Sequence, residues 1–338
     1  MIRITGTGAV SSAGWGVPAM MKALDSSMRP ELSELVRERK QGDPVATPVL
    51  KVPAAPSTLP KSPRLRRVSP VSKFAAAAAM EALGAERAAR VASGEIRLGV
   101  VCALFNGCVN YSNRFFGEVL ADPSVASPIL FPETVFNAPS SHLSAMFNST
   151  APNDTILGDG AEVYTALEIA TEWLLRGDCD GVLVVAPEEI DWLSAEGLRL
   201  YSDDAIPSEG AAALYLEIGG EGPQLLSIPD SILLGPGVGR AAALQEAAAA
   251  AGGGDDGRTL LADSRSGVGR FDAPEDEVFA AWSGPRVSVK TVLGDCFGTS
   301  AGHQLVAAVE RLRRGDADEA LVVTSGGNEQ IGACRLGR

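Results

Sequence analysis

The sequence predicts an α/β fold whose sheet is covered by helices on both faces. Two observations carry that reading. Short apolar runs alternate with long helical patterns along the whole chain, and one helix–turn–strand unit occurs twice. The apolar runs fall at 2–4, 98–103, 155–157, 182–186, 211–218, 259–262, 287–289 and 320–324, each of strand length. Helical patterns at 72–83, 161–175 and 299–313 lie between them, which is the order of a sheet built with helical crossovers. With 338 residues, 46% of them hydrophobic and 21% charged, the chain is large and apolar enough for one large domain or two fused halves.

The opening strand runs into Gly6-Thr7-Gly8, which superficially suggests a dinucleotide loop but lacks a well-placed acidic ribose ligand. Residues 39–70 are rich in Pro, Ser, Lys and Arg and read as an excursion over the surface. Lys61, Arg64, Arg66, Arg67 and Lys73 form a basic stretch without acids, a solvated face or a dock for an acidic partner. The alanine tract at 74–80 reads as a buried helix. Phe105, Tyr111, Phe115, Phe116 and Phe131 gather aromatic residues in a chain poor in them, for a tunnel, a subunit contact or ordinary core packing.

The repeat comes next. Residues 158–185 read GDGAEVYTALEIATEWLLRGDCDGVLVV, and residues 294–323 read GDCFGTSAGHQLVAAVERLRRGDADEALVV. Each is Gly-Asp, a helix, Arg-Gly-Asp-x-Asp and an apolar strand, which points to duplication. GGEGP at 219–223 falls where two halves would join, and GGGDDG at 252–257 is another loop. The halves are expected at 1–220 and 221–338.

Composition narrows the function classes. A net charge of −13 argues against general nucleic-acid binding, which needs basic surface to neutralise phosphate. Five cysteines without paired spacing make no disulfide framework, and two histidines exclude a histidine-rich metal site. The N-terminus lacks a signal-peptide layout, and no run of about 18 apolar residues suggests a membrane span. A soluble cytoplasmic protein without metal or cofactor is the expectation.

Several segments, in this order, resemble the β-ketoacyl synthases of the thiolase superfamily. They are ITGTGAVSSAGWG at 4–16, RRVSPVSKFAAAAAMEALG at 66–84, GVVCALFNG at 99–107, residues 137–170, SEGAAALYLE at 208–217 and VSVKTVLGDCFGTSAG at 287–302. The resemblance implies a thiolase-like fold of two duplicated βαβαβαββ halves in five layers (αβαβα). It also implies a dimer built around the strand before the nucleophile elbow. Enzymes of this family hold an acyl chain on a cysteine at a helix start and use two histidines and a lysine.

This chain departs from the pattern where the chemistry would sit. The elbow falls at Gly160, within Leu157-Gly158-Asp159-Gly160, so the cysteine is missing. Asp263 and Asp295 stand where the two histidines would be, and only Lys290 matches. His142 reads as structural. His303 follows Cys296 by seven residues, two turns or roughly 10 Å along a helix, too far for direct proton transfer. The candidate site is therefore Asp159, Gly160, Asp263, Lys290 and Asp295, whose aspartates serve either as helix caps or as a carboxylate site.

The resemblance then implies a catalytically degenerate subunit of a fatty-acid or polyketide-type pathway, similar to a chain-length factor. Such a subunit pairs with an active ketosynthase and shapes its acyl pocket, and an acyl carrier protein is a possible further partner. An acyl-thioester hydrolase or transferase using the Asp/Lys site, and a homodimeric acyl-binding protein, are the alternatives.

Overall fold

The computed structural model describes residues 1–38, 42–57, 63–325 and 329–338. Ten strands form one continuous sheet path, and its order reveals the duplication. From the outer edge of the first half, the strands are Asn153–Leu157, Leu98–Leu104, Gly181–Glu188, Gly210–Ile218 and Ile2–Ser11. From the opposite edge, the second half reads Arg286–Ser288, Thr259–Asp263, Glu319–Thr324, Gln330–Gly337 and Gln224–Ser227. Numbered within its half, each order is 3-2-4-5-1, and in each the first two pairings are parallel and the next two antiparallel. The halves meet where Arg3 pairs with Gln224.

Strand side chains alternate between two faces, and the core divides accordingly. Val101, Ala103, Val182, Val184, Ala212 and Leu214 face the same central core as Leu260, Ala262, Ala320 and Val322 of the second half. Helices Glu162–Arg176 and Gly298–Arg314 fill that centre. These are the two helices of the sequence repeat. The outward face of the first half, with Val100, Cys102, Leu183 and Ala213, is covered by helices Pro70–Ala92 and Ala138–Phe147. Leu261, Leu321 and Val323 of the second half lie under helix Arg240–Ala250. The result is the five-layered thiolase-like fold.

Helix Gly298–Arg314 is buried on nearly all sides because both half-sheets press on it. That position suits its Ala, Gly and Val content and leaves only its last turn, with Arg313 and Arg314, to reach solvent. Gly6 and Gly8 lie inside the first strand and not in a phosphate loop. A Cβ on either would meet a backbone carbonyl of helix Pro70–Ala92, Ala82 O or Ala78 O, at 1.9 Å. These glycines are required by close helix–strand packing. The hairpin strand Val45–Val49 lies inside the surface excursion and its partner Ser33–Arg37 lies ahead of it, while Lys61 lies outside the described residues. Among the described residues no helix is long and apolar enough to cross a membrane.

Candidate functional site

Both repeat motifs open onto one cavity of about 710 Å³. Its wall includes Asp159 and Gly160 from the first repeat, Asp295 and Phe297 from the second, and Lys290, Phe105, Leu193, Leu198, Tyr201, Thr324 and Glu329. Four of the five residues singled out in the sequence thus converge. Asp263 is not in this wall among the described residues. It is buried behind it, accepting a hydrogen bond from Ser288 Oγ at 3.0 Å.

The elbow forms because strand Asn153–Leu157 ends at Gly158 and helix Glu162–Arg176 begins four residues later. Gly160 has φ +120°, a backbone conformation that glycine tolerates and L side chains rarely adopt. Its amide donates to Glu162 Oε2 at 2.6 Å. The turn therefore has no thiol, and its amide is already occupied by the chain's own carboxylate. Glu162 is fully buried, with Oε1 lacking a hydrogen-bond partner, and burial raises its pKa.

The two repeat aspartates play different local roles. Asp295 Oδ1 accepts from Phe297 N at 3.0 Å and from Ser300 Oγ at 3.3 Å, bracing the turn into helix Gly298–Arg314. Its Oδ2 lies 3.6 Å from Lys290 Nζ, which also donates to Ser325 O at 3.0 Å. Asp159 does not cap the helix that follows it. Its Oδ2 accepts from Glu329 N at 2.8 Å, tying the elbow to the start of strand Gln330–Gly337. Burial raises the Asp159 pKa, and its Oδ1 is without a partner.

Behind the wall, carboxylates outnumber cations. Burial pushes Asp263 up to about 6. Glu275 rises to about 8, first by burial and then by the charge of Asp263, with Lys290 pulling the other way. Glu188 is held well above the carboxylate range by burial, although it accepts hydrogen bonds from the amides of Phe105 and Asn106. Sequence reading passed over Glu162, Glu188 and Glu275. Glu188 closes an apolar strand in an otherwise uncharged run, and that charge at the end of a buried strand was a usable signal. Glu275 lies in an acidic stretch that resembles a solvated helix face, and nothing local marks it.

Imidazole chemistry is absent from the cavity. His303 is buried, with Nε2 at 3.0 Å from Val10 O and 3.2 Å from Ala211 O, and desolvation lowers its pKa to about 4. A neutral ring donating to strand carbonyls is structural. His142 sits against Glu133 at 2.9 Å, outside the cavity wall. The five free cysteines are all buried, and burial holds the Cys296 thiol far above its usual pKa, where the nucleophilic thiolate is suppressed. Among the described residues no group of three or more His, Cys, Asp and Glu side chains is arranged to hold a metal ion.

The aromatic residues noted in the sequence divide into two sets. Phe105 lines the cavity with its ring parallel to that of Phe297, 5.6 Å between centroids and 3° between planes. Phe116 and Phe131 are more than half exposed, and Phe131 tilts against Phe115 at 5.6 Å. They belong to an open apolar surface around helix Val109–Ala121, which has no buried residue of its own.

No family model matches the chain, and no curated protein does. Solved structures do match over its full length. The ishigamide ketosynthase/chain length factor superposes with a TM-score of 0.81 at 19% identity, covering 99% of this chain and 98% of that one. A ketosynthase in complex with its chain length factor from Xenorhabdus doucetiae gives 0.79 at 15% identity, covering 99% and 97%. A β-ketoacyl synthase from Burkholderia phymatum STM815 gives 0.77 at 17% identity, covering 100% and 99%. The chain has the fold of ketosynthases and chain length factors, end to end.

Proposed function

We propose that this chain is a catalytically degenerate ketosynthase-like subunit that pairs with an active ketosynthase and shapes the acyl pocket of the pair. The observation that carries this reading is the elbow. Gly160 replaces the nucleophile, and Glu162 occupies the Gly160 amide. Decarboxylative condensation builds negative charge on the substrate. A cavity faced by Asp159, Asp295 and Glu329, with Lys290 already paired, opposes that charge.

The surface supports a partner. Strand Asn153–Leu157 ends the sheet path and, among the described residues, has one unpaired edge. Leu157 on that strand, and Phe116, Leu120, Val125, Ile129 and Phe131 on helix Val109–Ala121 and the turns after it, are each at least half exposed. Exposed apolar side chains and an open sheet edge are each features of association sites. Paired across this edge, the cavities of two chains would lie on neighbouring elbows, as a jointly built acyl pocket requires. Arg66, Arg67 and Lys73, all exposed, offer an acidic carrier protein a basic contact.

Co-expression with a cysteine-bearing ketosynthase should yield a stable one-to-one complex whose products change length when this chain's cavity is altered. Leu157→Asp combined with Phe116→Asp should release both chains as folded monomers on size-exclusion chromatography. The purified chain alone should not condense malonyl thioester. Recovery of homodimers only, with product length indifferent to this chain, would sink the proposal.

A further inference from the structure

The cavity combines apolar walls, stacked aromatic rings and an excess of carboxylates. Leu193 and Leu198 supply apolar surface, and Phe105 and Phe297 present parallel rings. Asp159, Asp295 and Glu329 supply carboxylates. Lys290, the cation among the described lining residues, is engaged by Asp295 and the Ser325 carbonyl. Behind Asp159 stands Arg240, which is half-buried and attracts both Asp159 and Glu329 without forming an ion pair within 4.0 Å among the described residues. On the wall itself carboxylates outnumber Lys290, and Arg240 and Arg270 offset part of that excess from behind it.

An apolar tunnel alone would suit an uncharged acyl chain. Carboxylates beside aromatic faces favour something narrower, because a cation gains from the ring quadrupole and from the surplus of carboxylates on the wall together. Tyr201 on the same wall already accepts a cation of the chain itself. The Arg270 guanidinium lies 5.9 Å from its ring centre. We infer that the cavity takes a ligand with an apolar body and a positively charged nitrogen head, an alkylammonium or amine-bearing acyl group. A malonyl-type anion is disfavoured. The inference rests on the reading of this cavity as a ligand-holding pocket and specifies what it holds.

Octyltrimethylammonium, octanol and octanoate share a body and differ in head charge. Titrated calorimetrically into the full-length chain below micellar concentrations, the ammonium should bind about tenfold more tightly than octanol, and octanoate more weakly than either. Added salt should narrow the gap. Asp159→Asn with Glu329→Gln should remove most of the ammonium's advantage and leave octanol affinity unchanged. Glu329→Gln alone, at an exposed position, should show the same trend with folding undisturbed. Octanol or octanoate binding as tightly as the ammonium would overturn the cation preference while leaving an acyl-shaping pocket standing. Failure of all three probes to bind would overturn both the inference and the pocket reading, whereas subunit pairing is judged separately by the co-expression result.

Discussion

Gly160 and Phe297 show how much of this site is decided by single residues. Gly160 occupies φ +120°, and the amide it presents is bound by Glu162. Placing a thiol there should not create condensing chemistry. Gly160→Cys places an L side chain in a disfavoured backbone region, at a cost of about 1–3 kcal/mol. It also sets the thiol on a turn that adjoins Asp159 in the chain and whose amide holds the Glu162 carboxyl, and a carboxylate nearby opposes a thiolate. Its alkylation by iodoacetamide at neutral pH should be slower than that of free cysteine. The readout is clean because the five native cysteines are buried. Faster alkylation, or condensation by the variant, would show that the elbow retains an activating environment. The Gly-Asp motif directs attention to this turn, but nothing in the order of residues shows Glu162 folding back onto it. Phe297 is equally hidden. Its φ of +48° depends on Asp295 bracing the turn below it and on the stacking of its ring against Phe105.

At the scale of elements, close packing of helix Pro70–Ala92 on strand Ile2–Ser11 sets the separation of the first two layers. Gly8→Ala drives a Cβ into the Ala78 carbonyl, rigid helix backbone that cannot rotate away as a side chain would. The expected loss is about 2–3 kcal/mol, read as a lower urea midpoint with an unchanged m-value. An unshifted midpoint would mean that the helix yields freely. Elements with a strong apolar signal were legible, including the strands near 98–103, 182–186, 211–218 and 320–324 and the three long helices. Others were not, for identifiable reasons. Gln330–Gly337 mixes Gly, Cys and Arg and becomes a strand only because both its neighbours pair with it. The helix predicted to end at 83 kinks at Gly84, with φ +73°, and resumes to Ala92. Residues 287–289 read as a continuous strand, but Val289 begins the short helix that carries Lys290 into the cavity wall.

Across the whole molecule, buried carboxylates accumulate along the inner ends of both half-sheets, and they make stability depend on pH. Duplication was legible because the repeat preserves Arg-Gly-Asp-x-Asp. The burial of Glu162, Glu188, Glu189, Glu209, Asp263 and Glu275 was not, since it arises only when the layers close over them. Burial raises Glu209 to about 7 and Glu275 to about 8, above their ordinary value of 4.5. A carboxyl with a raised folded-state pKa binds its proton more tightly when folded, so its burial is tolerated at low pH and penalised as pH climbs toward that value. His303, lowered to about 4 from 6.5, has the opposite slope, but only between those two values. From pH 6.5 to about 8 the carboxylates therefore act alone, and stability should fall. Glu275 faces Asp263, Asp272 and Lys290, of which Lys290 alone favours its ionisation. Its contribution across that interval is on the order of 1–2 kcal/mol. The melting temperature should decline steadily between these pH values, and Glu275→Gln should flatten the decline by keeping a neutral group in the same space. A melting temperature that rises over this interval, or a variant that follows the parent's slope, would show that the buried acids are ionised in the folded chain at neutral pH and stabilised by charges other than Lys290.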